Sequence, residues 1–234
     1  MKKQKTSEEQ LLEEIRKLGQ TNGLNEVFTR FLELTALSLS IEVDPINAKQ
    51  REEKYQKLAG SMDEETIGAY GRMTFLLAAV IFEHWDDPKD ILGDLYSRLK
   101  LHNQWAGQFF TPDNVSRMMA EMLGIEGKIS GSGYLKVNEP TCGSGVMLIA
   151  SAWSMQRKGI DYRNRVLFMA QDLDIRCVWM AYIQCCLYRI PAVITHGNSL
   201  TGEIFSYWYT EDGLRVLSGE QDGDSENAEK ERKF

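Results

Sequence analysis

Tyr134-Leu-Lys-Val-Asn-Glu-Pro-Thr-Cys-Gly-Ser-Gly145 carries the strongest structural signal in this chain. Its first five residues predict a short strand, and the apolar pattern over 146–157 predicts a helix. The glycines fall in the turn between them, where they permit positive φ angles and let a ligand approach the backbone closely. Strand, glycine turn and helix in this order are typical of the first unit of a parallel α/β sheet.

The residues on either side of this stretch extend the same prediction. Two more strands are predicted at 165–171 and 192–195, with a helix at 174–187 between them. Alternating strands and helices indicate βαβ units and a mostly parallel, Rossmann-like sheet. Before Gly107 the patterns are helical, with predicted helices at 7–19, 24–39, 49–58, 64–85 and 87–100.

We therefore predict three parts: a helical N-terminal region over 1–104, an α/β domain over 105–215 and a disordered acidic tail over 216–234. From Gly219 onward the chain holds six acidic and three basic residues and few apolar ones. Little chain remains between the third strand and this tail for a complete doubly wound sheet. We expect the sheet to be truncated.

The composition is that of a soluble globular protein, with 43% hydrophobic and 26% charged residues. The apolar run at 74–82 falls short of the roughly 20 residues that span a bilayer. No apolar segment of the kind found in signal peptides follows the basic N-terminus. These features predict a cytoplasmic protein without a membrane partner.

The cysteines and histidines do not form a metal-binding pattern. None of the 4 cysteines lies in a C-x-x-C pair, and the 3 histidines are far apart in sequence. Reduced and mostly buried thiols are the expected state, and no metal site is predicted. The net charge of −7 comes without a basic stripe, so any affinity for DNA must come from a local patch or a partner subunit.

Two acidic residues stand where strands are predicted to end. Glu139 would project from the first strand, and ligands bind beyond the carboxyl ends of strands in open α/β sheets. Asp172 would end the second strand, where an acid accepts hydrogen bonds from ribose hydroxyls. Two plainer interpretations stay open: the glycine turn is only a turn, and Asp172 or Asp174 only caps the next helix.

A third segment, Gly107-Gln-Phe-Phe-Thr-Pro112, precedes a further helix. Thr111 as N-cap with Pro112 at the first helical position would explain the segment as a helix start. The adjacent aromatic residues Phe109 and Phe110 are less usual there, and one of them could cover an adenine ring or a thioether.

Together these segments resemble the N6-adenine DNA methyltransferases, in particular the modification subunit of type I restriction–modification systems. The segment ending at Pro112 is similar to the family motif G-[QE]-[FY]-[FY]-T-P. Glu139-Pro-Thr-Cys-Gly-Ser-Gly145 is similar to D-P-x-C-G-[ST]-G, with glutamate in place of aspartate. Gly197-Asn-Ser-Leu200 stands where the family has G-D-[TS]-L.

The resemblance implies S-adenosylmethionine as cofactor. Glu139 would hold its ammonium group, the helix start after Thr111 its carboxylate, and Asp172 its ribose. The implied cofactor-binding set is Phe109, Phe110, Thr111, Pro112, Glu139, Thr141, Cys142, Gly143, Gly145, Asp172 and Asn198.

The chain departs from the family at the catalytic signature [DN]-P-P-[YF]. No two of its 5 prolines are adjacent, so the signature is absent from this sequence and the catalytic residues are unassigned. Ser206-Tyr-Trp-Tyr209 is either a degenerate acceptor site or a group of packed aromatic residues.

Three functions follow from these observations. The first is an S-adenosylmethionine-binding protein whose methyl transfer to adenine in DNA depends on a partner or is lost. The second is an inactive methyltransferase relative that acts as an interaction or regulatory partner of a methyltransferase or specificity subunit. The third is a helical scaffold with a tight glycine turn and no ligand.

Overall fold

The N-terminal part of the protein is helical, as predicted. The computed structural model describes residues 5–101, 110–129 and 133–219, and the ranges below refer to that part of the chain. The first five helices are α1 (Ser7–Asn22), α2 (Leu24–Val43), α3 (Ala48–Ala59), α4 (Glu64–Glu83) and α5 (Ile91–Arg98). Then follow α6 (Asp113–Leu123), β1 (Leu135–Glu139), α7 (Val146–Arg157), β2 (Val166–Asp172), α8 (Ile175–Leu187), β3 (Ala192–Asn198), β4 (Glu203–Tyr209) and α9 (Glu211–Ser218).

Side-chain caps set where several helices begin. Thr6 and Glu9 form a capping box at the start of α1, and the Asp63 carboxylate accepts from the Thr66 N–H at the start of α4. Two predicted starts were placed too early. The α5 helix begins after Asp90 rather than at Asp87, because the Asp90 carboxylate caps it through the Gly93 N–H. The N-cap of α6 is Pro112 rather than Thr111.

The four strands form one sheet in the order β1-β2-β3-β4. The β1–β2 and β2–β3 pairs are parallel, which confirms the predicted mostly parallel sheet. The last strand, β4, runs antiparallel to β3 and was not predicted, nor was α9. Each predicted strand is present with its ends shifted by a few residues, and β3 extends to Asn198.

One large core joins the N-terminal helices to the sheet. Phe28 and Phe31 of α2, Met73 of α4 and Phe168 of β2 belong to the same buried cluster. On the opposite face of the sheet a smaller cluster forms under α9, around Leu167 and Val193. The division at residues 104 and 215 stays a prediction, and residues 87–101 already pack into the core shared with the sheet.

The α4 helix is the one helix in the described ranges whose length and apolar character would suffice to cross a membrane. A third of its most apolar window is buried inside the protein. Because core helices of soluble proteins meet the same two criteria, this observation assigns no membrane role.

Candidate functional site

The carboxyl ends of β1, β2 and β3 meet at one edge of the sheet. The glycine loop, residues 140–145, leaves β1 there and is hydrogen-bonded to the end of β2 and to the residue that follows β3. The Cys142 N–H donates to the Gln171 carbonyl at 2.8 Å, and the Ser199 hydroxyl donates to the Pro140 carbonyl at 2.9 Å. The loop is therefore held at the position where parallel α/β sheets bind their ligands.

Both predicted glycines of this loop have positive φ angles. Gly143 has φ +55° and Gly145 φ +93°, in the region that favours glycine. A Cβ at position 145 would also lie 3.1 Å from Cα and Cβ of Ala181, so glycine lets α7 begin directly against α8. The loop conformation therefore depends on glycine for both dihedral and steric reasons.

The Asp172 carboxylate, at the end of β2, is hydrogen-bonded to the glycine loop. Its Oδ2 accepts from the Gly143 N–H and its Oδ1 from the Asp174 N–H, both at 2.9 Å. Burial raises the pKa of Asp172, although these two backbone donors act in the opposite direction. A carboxylate has about four lone-pair positions, so two acceptor positions are left for a ligand such as a diol.

Glu139 lies at the end of β1 and is half-buried. One of its carboxylate oxygens accepts from the Thr141 N–H at 3.3 Å. Among the residues that the structure describes, no basic side chain forms an ion pair with it. The residue therefore offers a negative charge at the ligand edge that no described side chain compensates, which suits a cationic group.

Phe110 forms the wall of the loop on the side of α6. A Cβ at position 143 would lie 3.3 Å from two of its ring carbons, and its ring meets Tyr96 edge-on at 5.3 Å between centroids. Thr111 and Pro112 follow, with Pro112 as the N-cap of α6. Phe109 lies outside the described residues.

The other predicted residues differ in what they offer. Thr141 is exposed on the loop, whereas the Cys142 side chain is buried in the core and burial raises its pKa well above the ordinary value. Cys142 can therefore contribute its backbone alone to a ligand. The Asn198 Oδ1 accepts from the Leu200 N–H at 3.0 Å and shapes the turn after β3. Leu173, next to Asp172, is 60% exposed and offers an apolar surface.

A buried polar cluster beneath the loop was missed from the sequence. The Asp90 carboxylate accepts from the Ser144 hydroxyl, from the Gln184 side-chain amide at 2.9 Å and from the Gly93 N–H at 2.8 Å. Burial raises the pKa of Asp90. The spacing of Asp90 and Gly93 is a helix-cap signal, but no sequence feature connects either residue to Ser144.

The segment Ser206–Tyr209 begins near this edge and runs away from it, because Ser206 pairs with His196, the β3 residue that pairs with Asp172. It forms part of β4, and Tyr209 pairs with Val193 near the start of β3. Trp208 is buried and its ring lies 5.3 Å from that of Tyr182. The burial of Trp208 agrees with the interpretation of packed aromatic residues, whereas Ser206 lies two strands from Asp172 at the same level of the sheet.

A scan of family models matches residues 87–216, more than half of the sequence, to the family described as N-6 DNA Methylase. The chain belongs to the N-6 DNA methylase family. The match begins at the loop before α5 and ends in α9, so it contains the whole candidate site and the Asp90 cluster. The family that the motifs resemble is thereby confirmed.

Two solved structures are similar to this N-6 DNA methylase family member. A candidate class I S-adenosylmethionine-dependent methyltransferase from Listeria monocytogenes has 15% identity and a TM-score of 0.43, and the match covers 83% of this chain and 54% of that one. The type I restriction–modification system methyltransferase subunit from Streptococcus thermophilus has 22% identity and a TM-score of 0.41, covering 81% and 38%. The chain thus spans about half or less of either protein. No curated protein matches it.

Proposed function

We propose that this protein binds S-adenosylmethionine at the carboxyl edge of its sheet. The observation that carries the proposal is the meeting of an uncompensated carboxylate, a glycine loop with positive φ angles and a second carboxylate at adjacent strand ends. The first carboxylate suits an ammonium group, and the glycine loop lets a ligand lie close to the backbone. The second carboxylate suits the hydroxyls of a ribose.

Each part of the cofactor has a fitting group in the site. Glu139 would hold the ammonium, and the free N–H groups at the start of α6 would hold the carboxylate. Asp172 would accept from the ribose hydroxyls with its two remaining lone-pair positions. Leu173 and the turn at Asn198 would lie against the adenine, and Phe110 would border the glycine loop.

The bound cofactor would supply a methyl group on a sulfonium cation, the electrophile for methyl transfer. The residues of this chain position it, and the carboxylate of Glu139 contributes negative charge near a cationic ligand. The family description supports adenine N6 in DNA as the acceptor. Because the sequence has no adjacent prolines, we propose that the acceptor site comes from a second subunit.

A second function is favoured by the position of Ser206–Tyr209. Trp208 of this segment is buried and Tyr209 pairs with Val193 near the amino end of β3, so neither ring stands at the carboxyl edge of the sheet. The protein would then act as an interaction or regulatory partner of a methyltransferase or specificity subunit in a restriction–modification system. Both functions fit a cytoplasmic protein, which stays a prediction.

Calorimetric titration with S-adenosylmethionine tests the proposal. We expect saturable one-to-one binding that is at least tenfold weaker in Glu139→Gln, which keeps the shape of the side chain and removes its charge. Glu64→Gln, on the exposed first turn of α4, is the matched control and should bind as the wild type does. No binding at millimolar cofactor would contradict the cofactor site and leave the interaction partner as the function.

A further inference from the structure

The glycine loop is held from its buried side through Ser144. This residue stands between Gly143 and Gly145 and is 0% exposed, so its side chain points into the protein. The Ser144 hydroxyl donates to the Asp90 carboxylate, and the Ser144 carbonyl accepts from the Gln184 side-chain amide at 2.9 Å. Both partners belong to other elements, since Asp90 caps α5 and Gln184 lies on α8.

Gln184 connects this serine to the start of α5. Its Nε2 donates to the Asp90 Oδ1 and to the Ser144 carbonyl, both at 2.9 Å. Its Oε1 accepts from the Leu92 N–H at 3.0 Å. The amide thus uses its donors and its acceptor on protein groups, and the residue is 0% exposed. A single buried side chain thereby joins α8, α5 and the glycine loop.

The Asp90 carboxylate is shared between a helix cap and the loop. Its Oδ1 accepts from the Gly93 N–H at 2.8 Å, which begins α5, and from the Gln184 amide. Its Oδ2 accepts from the Ser144 hydroxyl. Because one planar group makes both sets of contacts, the position of α5 fixes the position of Ser144.

Gly93 makes room for the contact between Asp90 and Ser144. A Cβ at position 93 would lie 2.6 Å from the Ser144 Oγ and closer still to the Asp90 carboxylate. Glycine disfavours a helix, yet this one stands in the first turn of α5. The carboxylate–hydroxyl contact explains its presence, because it fills the space that any other side chain would need.

The α5 helix is in turn held by the N-terminal helices. Arg98 of α5 pairs with Glu8 of α1. Tyr96 of α5 packs against Phe28 of α2, with 5.8 Å between the ring centroids, and both rings are buried. The helical region therefore provides a fixed support for the glycine loop.

We propose that Asp90 and Gln184 are positioning residues for the cofactor, which hold Ser144 so that the glycines on either side keep the conformation that the ligand requires. The inference rests on the proposed function, because it takes S-adenosylmethionine as the ligand of the loop. Both residues lie on the buried side of the loop. They act through Ser144 and make no contact with the cofactor themselves.

A role of Asp90 as a helix cap alone is the simpler explanation that the experiments must separate from this one. The two roles use different atoms, since the Gly93 N–H donates to Oδ1 and the Ser144 hydroxyl to Oδ2. Ser144→Ala therefore removes the loop contact and leaves the cap in place. Ser151→Ala is the matched control, because Ser151 is also buried and donates within α7, to the Met147 carbonyl at 2.8 Å.

Hydrogen-exchange mass spectrometry of the full chain without ligand tests whether Ser144 is held in this way. In Ser144→Ala we expect the amides of residues 140–145 to exchange at least about tenfold faster than in the wild type. In Ser151→Ala exchange in the loop should be unchanged. Circular dichroism at the same temperature establishes that both variants are folded. Unchanged loop exchange in folded Ser144→Ala would overturn the proposal, whether or not the protein binds S-adenosylmethionine.

Calorimetric titration of the same variants with S-adenosylmethionine tests the consequence for the ligand. Ser144→Ala should bind at least about fivefold more weakly than the wild type, and Ser151→Ala equally well. Asp90→Asn keeps an acceptor for the cap and an amide that can donate to the Ser144 Oγ, so it should bind more tightly than Asp90→Ala. Equal affinity of Ser144→Ala and the wild type would overturn the positioning role.

The two experiments also separate this inference from the proposed function. Absence of binding by the wild type would contradict the cofactor site itself, and with it the use of the loop for this ligand. Loop exchange in Ser144→Ala would then still decide whether Asp90 and Gln184 hold the loop. Binding by the wild type together with unchanged exchange and affinity in Ser144→Ala would leave the cofactor site intact and reduce Asp90 to a helix cap.

Discussion

The Asp172 carboxylate accepts a hydrogen bond from the Gly143 N–H at 2.9 Å, and so links the end of β2 to the glycine loop after β1. One side chain thereby has two tasks. It orders the loop in the absence of ligand, and it presents the remaining lone pairs to the same edge of the sheet. The candidate site is in this sense preorganised by a residue that the cofactor itself would contact.

Replacement of Asp172 should therefore loosen the loop before any effect on a ligand is considered. In Asp172→Ala we expect faster amide hydrogen exchange over residues 139–146, because the Gly143 N–H loses its acceptor. Hydrogen-exchange mass spectrometry measures this directly. Asp63→Ala, which removes a helix cap on α4, should leave exchange in the loop unchanged. Unchanged exchange in Asp172→Ala would show that the strand ends hold the loop without this contact.

Gly145→Ala should destabilise the protein more than Gly159→Ala does. Both glycines have positive φ, which costs roughly 1–2 kcal/mol for alanine. Only the Cβ at 145 meets another helix, at 3.1 Å from Ala181, whereas nothing lies within 4 Å at 159. We expect an additional loss of about 1–3 kcal/mol at 145 from overpacking. Urea denaturation of both variants measures the difference in their free energies of unfolding. Equal losses of stability would mean that α8 shifts to accommodate the Cβ at position 145 without an energetic cost.

Asp90→Asn should change how stability depends on pH. Burial raises the pKa of Asp90 above its ordinary value of 3.8, so the folded state binds more protons than the unfolded state between these two values. Wild-type stability therefore falls relative to Asp90→Asn as pH rises through that window, by at most about 1.4 kcal/mol per pH unit. Chemical denaturation at pH 4 to 7 measures the difference. A constant difference would indicate that Asp90 does not titrate in this range.

Removal of Arg51 should be costly because its partner is buried. Arg51 pairs with Asp44 at 3.0 Å with both side chains over 90% buried, and donates to the Tyr207 carbonyl of β4 at 2.6 Å. Arg51→Met would leave Asp44 uncompensated, at about 3–5 kcal/mol. Lys5→Ala removes an exposed pair with Glu13 and should cost less than about 1 kcal/mol. Thermal unfolding of the two variants distinguishes a buried ion pair from a surface one.

The four thiols should be unreactive in the folded protein. Cys142, Cys177 and Cys185 are buried and Cys186 is half-buried, and burial raises the pKa of Cys186 to about 12. Iodoacetamide at pH 7.5 should label them at a negligible rate in buffer and fully in urea, with mass spectrometry as the readout. Rapid labelling of one cysteine in buffer would identify local opening around it.

The local pattern of the sequence was sufficient to predict much of the fold of this protein. The period of apolar residues predicted α1 to α5 and the three parallel strands, because amphipathic helices and buried strands need only their own sequence to be recognised. The residues around Gly143 identified the loop, and Glu139 and Asp172 were predicted because strand ends are recognisable. The β4 strand was missed because its exposed aromatic residues do not alternate with polar ones.

The sequence by itself thus determined the family, the helical region, the parallel sheet and the residues at its carboxyl edge. Tertiary structure alone decided that Asp90 supports Ser144 from 54 residues away, that Ser206 pairs with His196 while Trp208 is buried, and that β1 is the end strand of the sheet in the described residues. The physical reason is that strand order and buried polar partners depend on contacts distant in sequence. Such contacts leave no periodic signal along the chain.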